Sequence, residues 1–214
     1  MKDCMTLYRN LAKKYPLAAP QDAVKLAYQS VYGGGHLITD RARALAYLQK
    51  ENEAFAAREW SVEEIGGGHA RLYLGDAPVD AVFDLFTCSA ARDARESYAD
   101  IEREERFREQ LTLLTRLAGN GYFRFAAEEL AAYIQTYLAE GIHAVHHSDA
   151  YREAYTPAYR IIRQEYVPYL PAIFQMYRTV AKKERVLVAI DGMAGSGKSR
   201  LADLLAELVG ADVI

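Results

Sequence analysis

The sequence has few cysteines, almost no excess charge and no long apolar segment. Its two cysteines, Cys4 and Cys88, are too few for a disulfide framework, and their spacing does not match that of zinc ligands. The formal net charge of −3 excludes the broad positive field that drives non-specific nucleic-acid binding. No apolar run approaches the ~18 residues of a membrane span, and the N-terminus lacks the apolar region of a signal peptide. We therefore expect a cytoplasmic protein without membrane contact, whose main partner is not nucleic acid.

Helical periodicity covers most of the sequence. Apolar residues make up 51% of the chain and charged residues 26%, as in ordinary globular proteins. The apolar residues recur at helical spacing over most of residues 4–55 and 79–139. Between these stretches, glycines at 66–68 predict a turn, and the alternation that follows predicts a small β element near residues 65–74. We predict a mainly α N-terminal domain over residues 1–181, of unknown role, and a polar linker that opens a second domain at residue 182.

Residues with special backbone roles predict several helix ends. The glycine run 33–35 should end a helix that begins near Pro20, and Thr39 or Asp40 should cap the next helix. Thr156 followed by Pro157 is typical of a helix start, with proline at the first helical position. We therefore expect a further helix to begin there.

Residues 192–199 match the phosphate-binding loop pattern G-x-x-x-x-G-K-[ST]. The β-rich apolar run 186–190 predicts a buried parallel strand before the loop, and leucines at helical spacing predict a helix after it. Glycines allow backbone N–H groups to surround an anion, and the positive end of the helix dipole faces the same anion. The residues that this motif predicts to bind the phosphates are Gly192, Gly195, Ser196, Gly197, Lys198 and Ser199.

Two of these residues have predicted roles in phosphoryl transfer. Lys198 would place its ammonium group on the β- and γ-phosphates of ATP and is the predicted catalytic residue, while Ser199 would give its hydroxyl group to Mg²⁺. A complete nucleotide-binding domain of this type needs several parallel strands covered by helices. Because residues 182–214 supply only the first strand, loop and helix, we expect an incomplete α/β P-loop NTPase domain and a fragment that is inactive by itself.

Residues 186–214 resemble the start of the kinase domain in the uridine kinase-like P-loop kinase family. The resemblance rests on Ile-Asp-Gly-Met-Ala-Gly-Ser-Gly-Lys-Ser and on the ending Gly-Ala-Asp-Val-Ile. The strings Tyr-Gly-Gly-Gly-His-Leu-Ile and His-His-Ser-Asp-Ala-Tyr-Arg-Glu-Ala-Tyr also resemble the helical N-terminal extension of some bacterial members. The resemblance implies transfer of the ATP γ-phosphoryl group to a hydroxyl group of a small acceptor such as a nucleoside. The alternative is a P-loop NTPase switch with a helical module that binds RNA or protein.

The N-terminal domain contains candidates for a second, substrate-binding or catalytic site. His36 follows a glycine run, while His146 and His147 lie close to Asp149, and histidine suits both metal binding and acid–base chemistry. Histidines that cap helices or pair with carboxylates are the alternative. Arg152 belongs to a tyrosine- and arginine-rich segment that could bind phosphate or stack on bases. The same segment could equally line a helix–helix interface, with its arginines in ion pairs.

Overall fold

The computed structural model describes residues 2–35, 38, 40–95, 100–183 and 185–213. Most of these residues are helical. Three short strands form an antiparallel sheet in the order β1-β2-β3, and a 3-10 helix, Gln164–Tyr169, follows the last strand. The described helices are α1 Lys2–Lys14, α2 Pro20–Tyr32, α3 Arg41–Glu53, α4 Val79–Arg95, α5 Asp100–Gly119, α6 Ala127–Ala139, α7 Asp149–Tyr155, α8 Leu170–Val180 and α9 Lys198–Val209. The strands are β1 Ser61–Gly66, β2 His69–Tyr73 and β3 Tyr159–Arg163.

Local signals placed several helix ends correctly. Helix α2 begins at Pro20 and ends before Gly33, whose φ of 68° is readily adopted only by glycine. The side chain of Asp40 accepts a hydrogen bond of 2.9 Å from the backbone N–H of Arg43 and so caps α3. None of the described helices is long and apolar enough to cross a membrane.

The β1–β2 hairpin confirms the predicted β element, and its turn packs directly against α2. A Cβ atom on Gly67 would lie 1.7 Å from the carbonyl oxygen of Ser30, and the φ of Gly67 is 62°. Glycine is therefore required there both by the close approach and by the backbone conformation. This contact holds the hairpin turn at the C-terminal end of α2.

The prediction of a helix beginning at Thr156 was wrong. Thr156 instead ends α7 in a left-handed conformation, with a φ of 39°, and the chain then enters β3. Strand β3 pairs with β2 along its whole length, from Tyr159 opposite Tyr73 to Arg163 opposite His69. Because this pairing joins segments far apart in the sequence, it overrides the local helix-start signal.

Two hydrophobic cores lie on opposite faces of the sheet. The first packs α1, α2, α5 and α6 on the face that carries Ile161. The second packs α3, α4, α8 and α9 on the face that carries Ile162. Successive residues of a strand point to opposite faces, so neighbouring isoleucines serve different cores. Leu204 and Leu208 bring α9 into the second core, where both are buried.

The predicted strand at residues 186–190 is not formed, and the described residues show no parallel α/β P-loop NTPase fold. Leu187 and Val188 are 85% and 50% exposed. A strand needs a neighbour to satisfy its N–H and C=O groups, and none of the described strands lies alongside this run. The helix predicted after the loop is present as α9.

Candidate functional site

The loop of residues 192–199 closes around the ammonium group of Lys198. Lys198 is the first residue of α9, and its Nζ donates hydrogen bonds of 2.7 Å to the carbonyl oxygen of Gly192 and 2.9 Å to that of Met193. The backbone N–H of Gly192 donates to Oδ1 of Asp191 at 2.7 Å, and that of Ser196 donates to the Met193 carbonyl at 3.2 Å. Local contacts therefore hold the lysine over the loop.

Two glycines of this loop adopt backbone conformations that favour glycine. Gly195 and Gly197 adopt φ values of 76° and 83°, and no other group lies within 4 Å of the position of a Cβ atom on either residue. The first backbone N–H groups of α9 precede the first helical hydrogen bond, from Leu201 to Gly197, and so have no acceptor within the helix. The positive end of the helix dipole lies at the same place. These residues fit a phosphate group, and exposed Ser199 lies in the first turn with a free hydroxyl for Mg²⁺.

Ion pairs attach α9 to the rest of the molecule. Glu207 pairs with both Arg92 and Arg95 of α4, and these guanidinium groups hold the pKa of the Glu207 carboxyl below its ordinary value. Arg200 lies 3.3 Å from Glu165, which also pairs with Arg92 at 2.8 Å. These ion pairs hold α9 against the helical domain, whereas the loop that precedes the helix is exposed.

The histidine and arginine candidates do not converge on one site. His36 lies outside the described residues. His146 is exposed, and Arg152 pairs with the exposed carboxylate of Asp149. Of the three candidates that the structure describes, only His147 is buried. Within the described ranges, no group of three or more histidines, cysteines or acids is placed to hold a metal ion.

His147 belongs to a buried Asp–His–Tyr arrangement that the sequence did not reveal. Its Nδ1 lies 2.7 Å from Oδ1 of Asp22, and its Nε2 lies 2.6 Å from the hydroxyl of Tyr159. Asp22 also accepts hydrogen bonds from the backbone N–H of Ala19 at 2.9 Å and from the hydroxyl of Ser148 at 2.6 Å. Asp22 is completely buried, so its charge depends on its three hydrogen-bonded neighbours, Ala19, His147 and Ser148.

The electrostatics of this arrangement favour a neutral imidazole beside a charged carboxylate. Burial lowers the pKa of His147 to about 4, although Asp22 opposes the shift. Burial would raise the pKa of Asp22, but hydrogen bonds from His147 and Ser148 outweigh it and hold that pKa below its ordinary value. Nδ1–H of His147 therefore donates to Asp22, and Nε2 accepts from Tyr159. Asp22 and His147 are buried and Tyr159 is half-buried, and their hydrogen bonds join α2, the residues that lead into α7, and β3.

Further hydrogen bonds connect this arrangement to the buried side chain of Arg71. Oε1 of Gln29 accepts hydrogen bonds from Nε and Nη2 of Arg71, at 3.2 and 2.8 Å, and Gln29 also contacts the Tyr159 hydroxyl at 3.2 Å. Arg71 lies over the Tyr159 ring, 4.7 Å from its centroid, and its Nη1 is 3.4 Å from Oε2 of Glu63. Tyr73 donates to the same carboxylate at 2.9 Å. We call these residues the polar network, of which the first four are buried and the others half-buried: Asp22, Gln29, Arg71, His147, Glu63, Tyr73, Ser148 and Tyr159.

A second histidine–aspartate pair lines a cleft of about 700 Å³ beside α5. Nδ1 of His69 donates to the Ser30 carbonyl at 3.1 Å, and Nε2 lies 3.0 Å from Oδ2 of Asp93. Arg163 donates to Oδ1 of the same carboxylate at 3.1 Å. A Cβ atom on Gly33 would lie 2.3 Å from Oδ2 of Asp93. The only sequence signal for this site was the pair of Gly-Gly-Gly-His strings at residues 33–36 and 66–69. Each string supplies a glycine, Gly33 or Gly67, at a position where a Cβ atom would clash with a neighbouring residue.

Comparisons of the chain with protein-family models, with curated proteins and with solved structures found no match.

Proposed function

We propose that the chain binds the phosphates of ATP through residues 192–199, and that this loop serves an ATP-dependent phosphotransferase that acts on a small hydroxyl-bearing acceptor. One observation carries this proposal: the Lys198 ammonium is held by the carbonyls of Gly192 and Met193, at the N-terminal end of α9. The Lys198 side chain therefore lies over the backbone that the sequence motif predicts to surround the phosphates.

Each group in the loop has a defined task in this proposal. The ammonium group of Lys198 exchanges its two carbonyl acceptors for phosphate oxygens, which form stronger, charge-assisted hydrogen bonds. The backbone N–H groups of residues 195–199 donate to the same phosphates. Ser199 supplies a hydroxyl group to Mg²⁺, which when bound neutralises negative charge on the phosphates. The acceptor, such as a nucleoside, is inferred from the resemblance to uridine kinase-like kinases.

A second candidate function is a nucleotide-dependent switch with the helical domain as its partner-binding module. The attachment of α9 favours this candidate, because Leu204, Leu208 and the ion pairs of Glu207 tie the helix behind the loop to α4. A change in the conformation of the loop on nucleotide binding would therefore alter the contact between α9 and α4. The two candidates share the same nucleotide site and differ in what the bound nucleotide does.

The first test is ATP binding by the whole chain. Titration calorimetry with ATP and Mg²⁺ should show saturable binding, and adenosine without phosphates should bind far more weakly. Lys198→Ala should weaken ATP binding by about 10- to 100-fold, because it removes a charged donor to the phosphates. Lys182→Ala is the matched control, since Lys182 is exposed and lies outside the loop.

Equal ATP affinity in the two variants would overturn the proposal, as would the absence of saturable binding. Once binding is established, ATP consumption separates the two candidate functions. Turnover that depends on a nucleoside or another small alcohol supports the phosphotransferase. Hydrolysis that ignores every acceptor but responds to RNA or protein supports the switch.

A further inference from the structure

The cleft that contains His69 and Asp93 is distinct from the 192–199 loop, and we call it the His69 cleft. It lies between α5, the C-terminal ends of α2 and α4, and the β1–β2 turn, and its volume of about 700 Å³ is in the range of small-molecule sites. The residues that matter for its chemistry are His69, Asp93, Arg103, Arg106, Gln110 and Arg163.

Three arginines contribute positive charge at one end of the cleft, namely Arg103, Arg106 and Arg163. The charge of Arg163 is balanced by Asp93 at 3.1 Å and by Glu165 at 3.3 Å. Arg103 donates instead to the backbone carbonyl oxygen of Asp93 at 2.7 Å, so it is held in place by a neutral acceptor. Among the side chains that the structure describes, no carboxylate pairs with Arg103. Its remaining N–H groups are therefore available to bind an anion in the cleft.

The acids of the cleft do not cancel this charge. Glu102 lies 4.0 Å from Arg106, and both side chains are largely exposed, so that pair is weak. Glu109 lines the cleft two turns further along α5 and is exposed to solvent. Asp93 is already shared between His69 and Arg163. An anion next to Arg103 therefore meets a locally positive surface.

A neutral hydrogen-bonding group faces the same cleft further along α5. Gln110 lies seven residues after Arg103, about 10 Å along the helix and on the same face. Its Oε1 accepts hydrogen bonds from the hydroxyls of Tyr8 and Ser30. The amide NH₂ group of Gln110 is therefore the part that remains to donate to a ligand.

We propose that the His69 cleft binds a small molecule with an oxyanion, phosphoryl or carboxylate, at one end and a hydrogen-bond acceptor at the other. Arg103 and Arg106 bind the oxyanion, and Gln110 donates to the acceptor. His69 is a positioning residue, because both of its ring nitrogens are already bonded to Ser30 and Asp93. It fixes Asp93, whose backbone carbonyl in turn orients Arg103. This site does not depend on the nucleotide site proposed above.

The test uses the whole chain with Lys198→Ala, so that the 192–199 loop does not contribute its lysine to anion binding. Inorganic phosphate and malonate are titrated separately, and backbone amide shifts are followed by NMR. We expect saturable shifts near Gly67, Arg103 and Gln110 with at least one anion. Saturation by phosphate alone identifies a phosphoryl ligand, and saturation by malonate alone identifies a carboxylate ligand.

Variants on α5 decide whether the cleft is responsible. Arg103→Met should weaken anion binding about tenfold. Arg108→Met is the control, because Arg108 pairs with Glu104 and does not line the cleft. Arg106→Met removes an exposed side chain that has no buried contact. It therefore tests the site even where Arg103→Met lowers stability. We expect it to weaken anion binding about threefold. Equal affinity in all three variants, or small shifts that never saturate and spread over the whole basic surface, would overturn the proposal.

Discussion

Residues 2–183 and residues 185–213 organise their polar groups in opposite ways. In the first region, a network of polar contacts joins distant parts of the sequence at buried groups, as when Asp22 meets His147, 125 residues away. In the second, the polar contacts of the loop at residues 192–199 are exposed and local, as when Lys198 meets the carbonyl of Gly192, six residues away. Only further along α9 do Arg200 and Glu207 pair with distant residues among those that the structure describes. Buried groups at long range stabilise a fold, because each leaves an unsatisfied partner when it is removed. Exposed groups in a short loop can exchange their partners for a ligand at low cost.

Helix α9 lies in the second region but packs into a core of the first. Its N-terminal end carries the loop, while Leu204 and Leu208 lie in the core shared with α4 and α8. The exposed ion pairs of Glu207 add little to this attachment by themselves, since surface pairs contribute about 0–1 kcal/mol each. Burial of the two leucines therefore anchors the loop to the helical domain.

Amide hydrogen exchange should show the largest difference between the regions. Backbone N–H groups of residues 186–190 donate to no backbone acceptor in the described structure, whereas those of α2 lie in a buried helix. We expect α2 to exchange more slowly by about three orders of magnitude or more, because its amides open only on global unfolding. Helix α9 should be intermediate. Mass spectrometry of the labelled whole chain makes this measurement, and uniform protection across both regions would contradict the contrast.

Removal of a single carboxylate should distinguish buried from exposed polar contacts. Asp22→Ala leaves the donors from Ala19, His147 and Ser148 without their acceptor, so we expect the free energy of unfolding to fall by about 3–5 kcal/mol. Asp149→Ala is the matched control, since Asp149 is 83% exposed and pairs with Arg152 on the surface. We expect the control to cost less than about 1 kcal/mol. Urea unfolding measures both, and similar costs would mean that the network does not hold α2 to α7.

The same contrast explains what could be predicted from the sequence. The ends of α2, the cap of α3 and the β1–β2 turn depend on neighbouring residues, and local patterns predicted them. The motif at residues 192–199 is local in the same sense, although its use for nucleotide binding stays a prediction. Strand β3 was missed because its partner β2 lies far away in the sequence. The strand predicted at residues 186–190 was wrong for a related reason, since a strand signal cannot supply a partner.

The buried sites were the least predictable part of the molecule. His147 was a candidate from its neighbours in sequence, but its actual partners are Asp22, Tyr159 and the stacked ring of Tyr151. In the sequence, Asp22 lies two residues after Pro20 near a helix start, and nothing there points to His147. A buried pair of this kind depends on how α2 packs against α7 and β3, and no local pattern records that packing. Apart from the two Gly-Gly-Gly-His strings, no pattern predicted the His69 cleft, because separate helices and the β1–β2 turn form it together.

The smallest expected effect is the response of the first region to mild acid. In the unfolded chain, His147 takes up a proton near its ordinary pKa of 6.5. In the folded chain, burial lowers the pKa of His147 to about 4. The contribution of His147 to stability is therefore complete above pH 6.5 and is lost as the pH falls through this window. We expect a loss of about 2 kcal/mol in the free energy of unfolding between pH 7 and pH 5.

A matched variant separates this effect from those of the other histidines. His147→Gln cannot titrate, so urea unfolding at pH 7 and pH 5 should show a difference smaller by about 2 kcal/mol than that of the unaltered chain. Lys25, which donates to the Val145 carbonyl and whose pKa burial lowers to about 8, stays protonated at both pH values and does not interfere. An unchanged pH dependence in the variant would contradict the prediction, because it would mean that His147 has the same pKa in the folded and the unfolded chain. A larger loss of stability at pH 5 in the variant than in the unaltered chain would mean that His147 is already charged in the fold and forms a buried ion pair with Asp22.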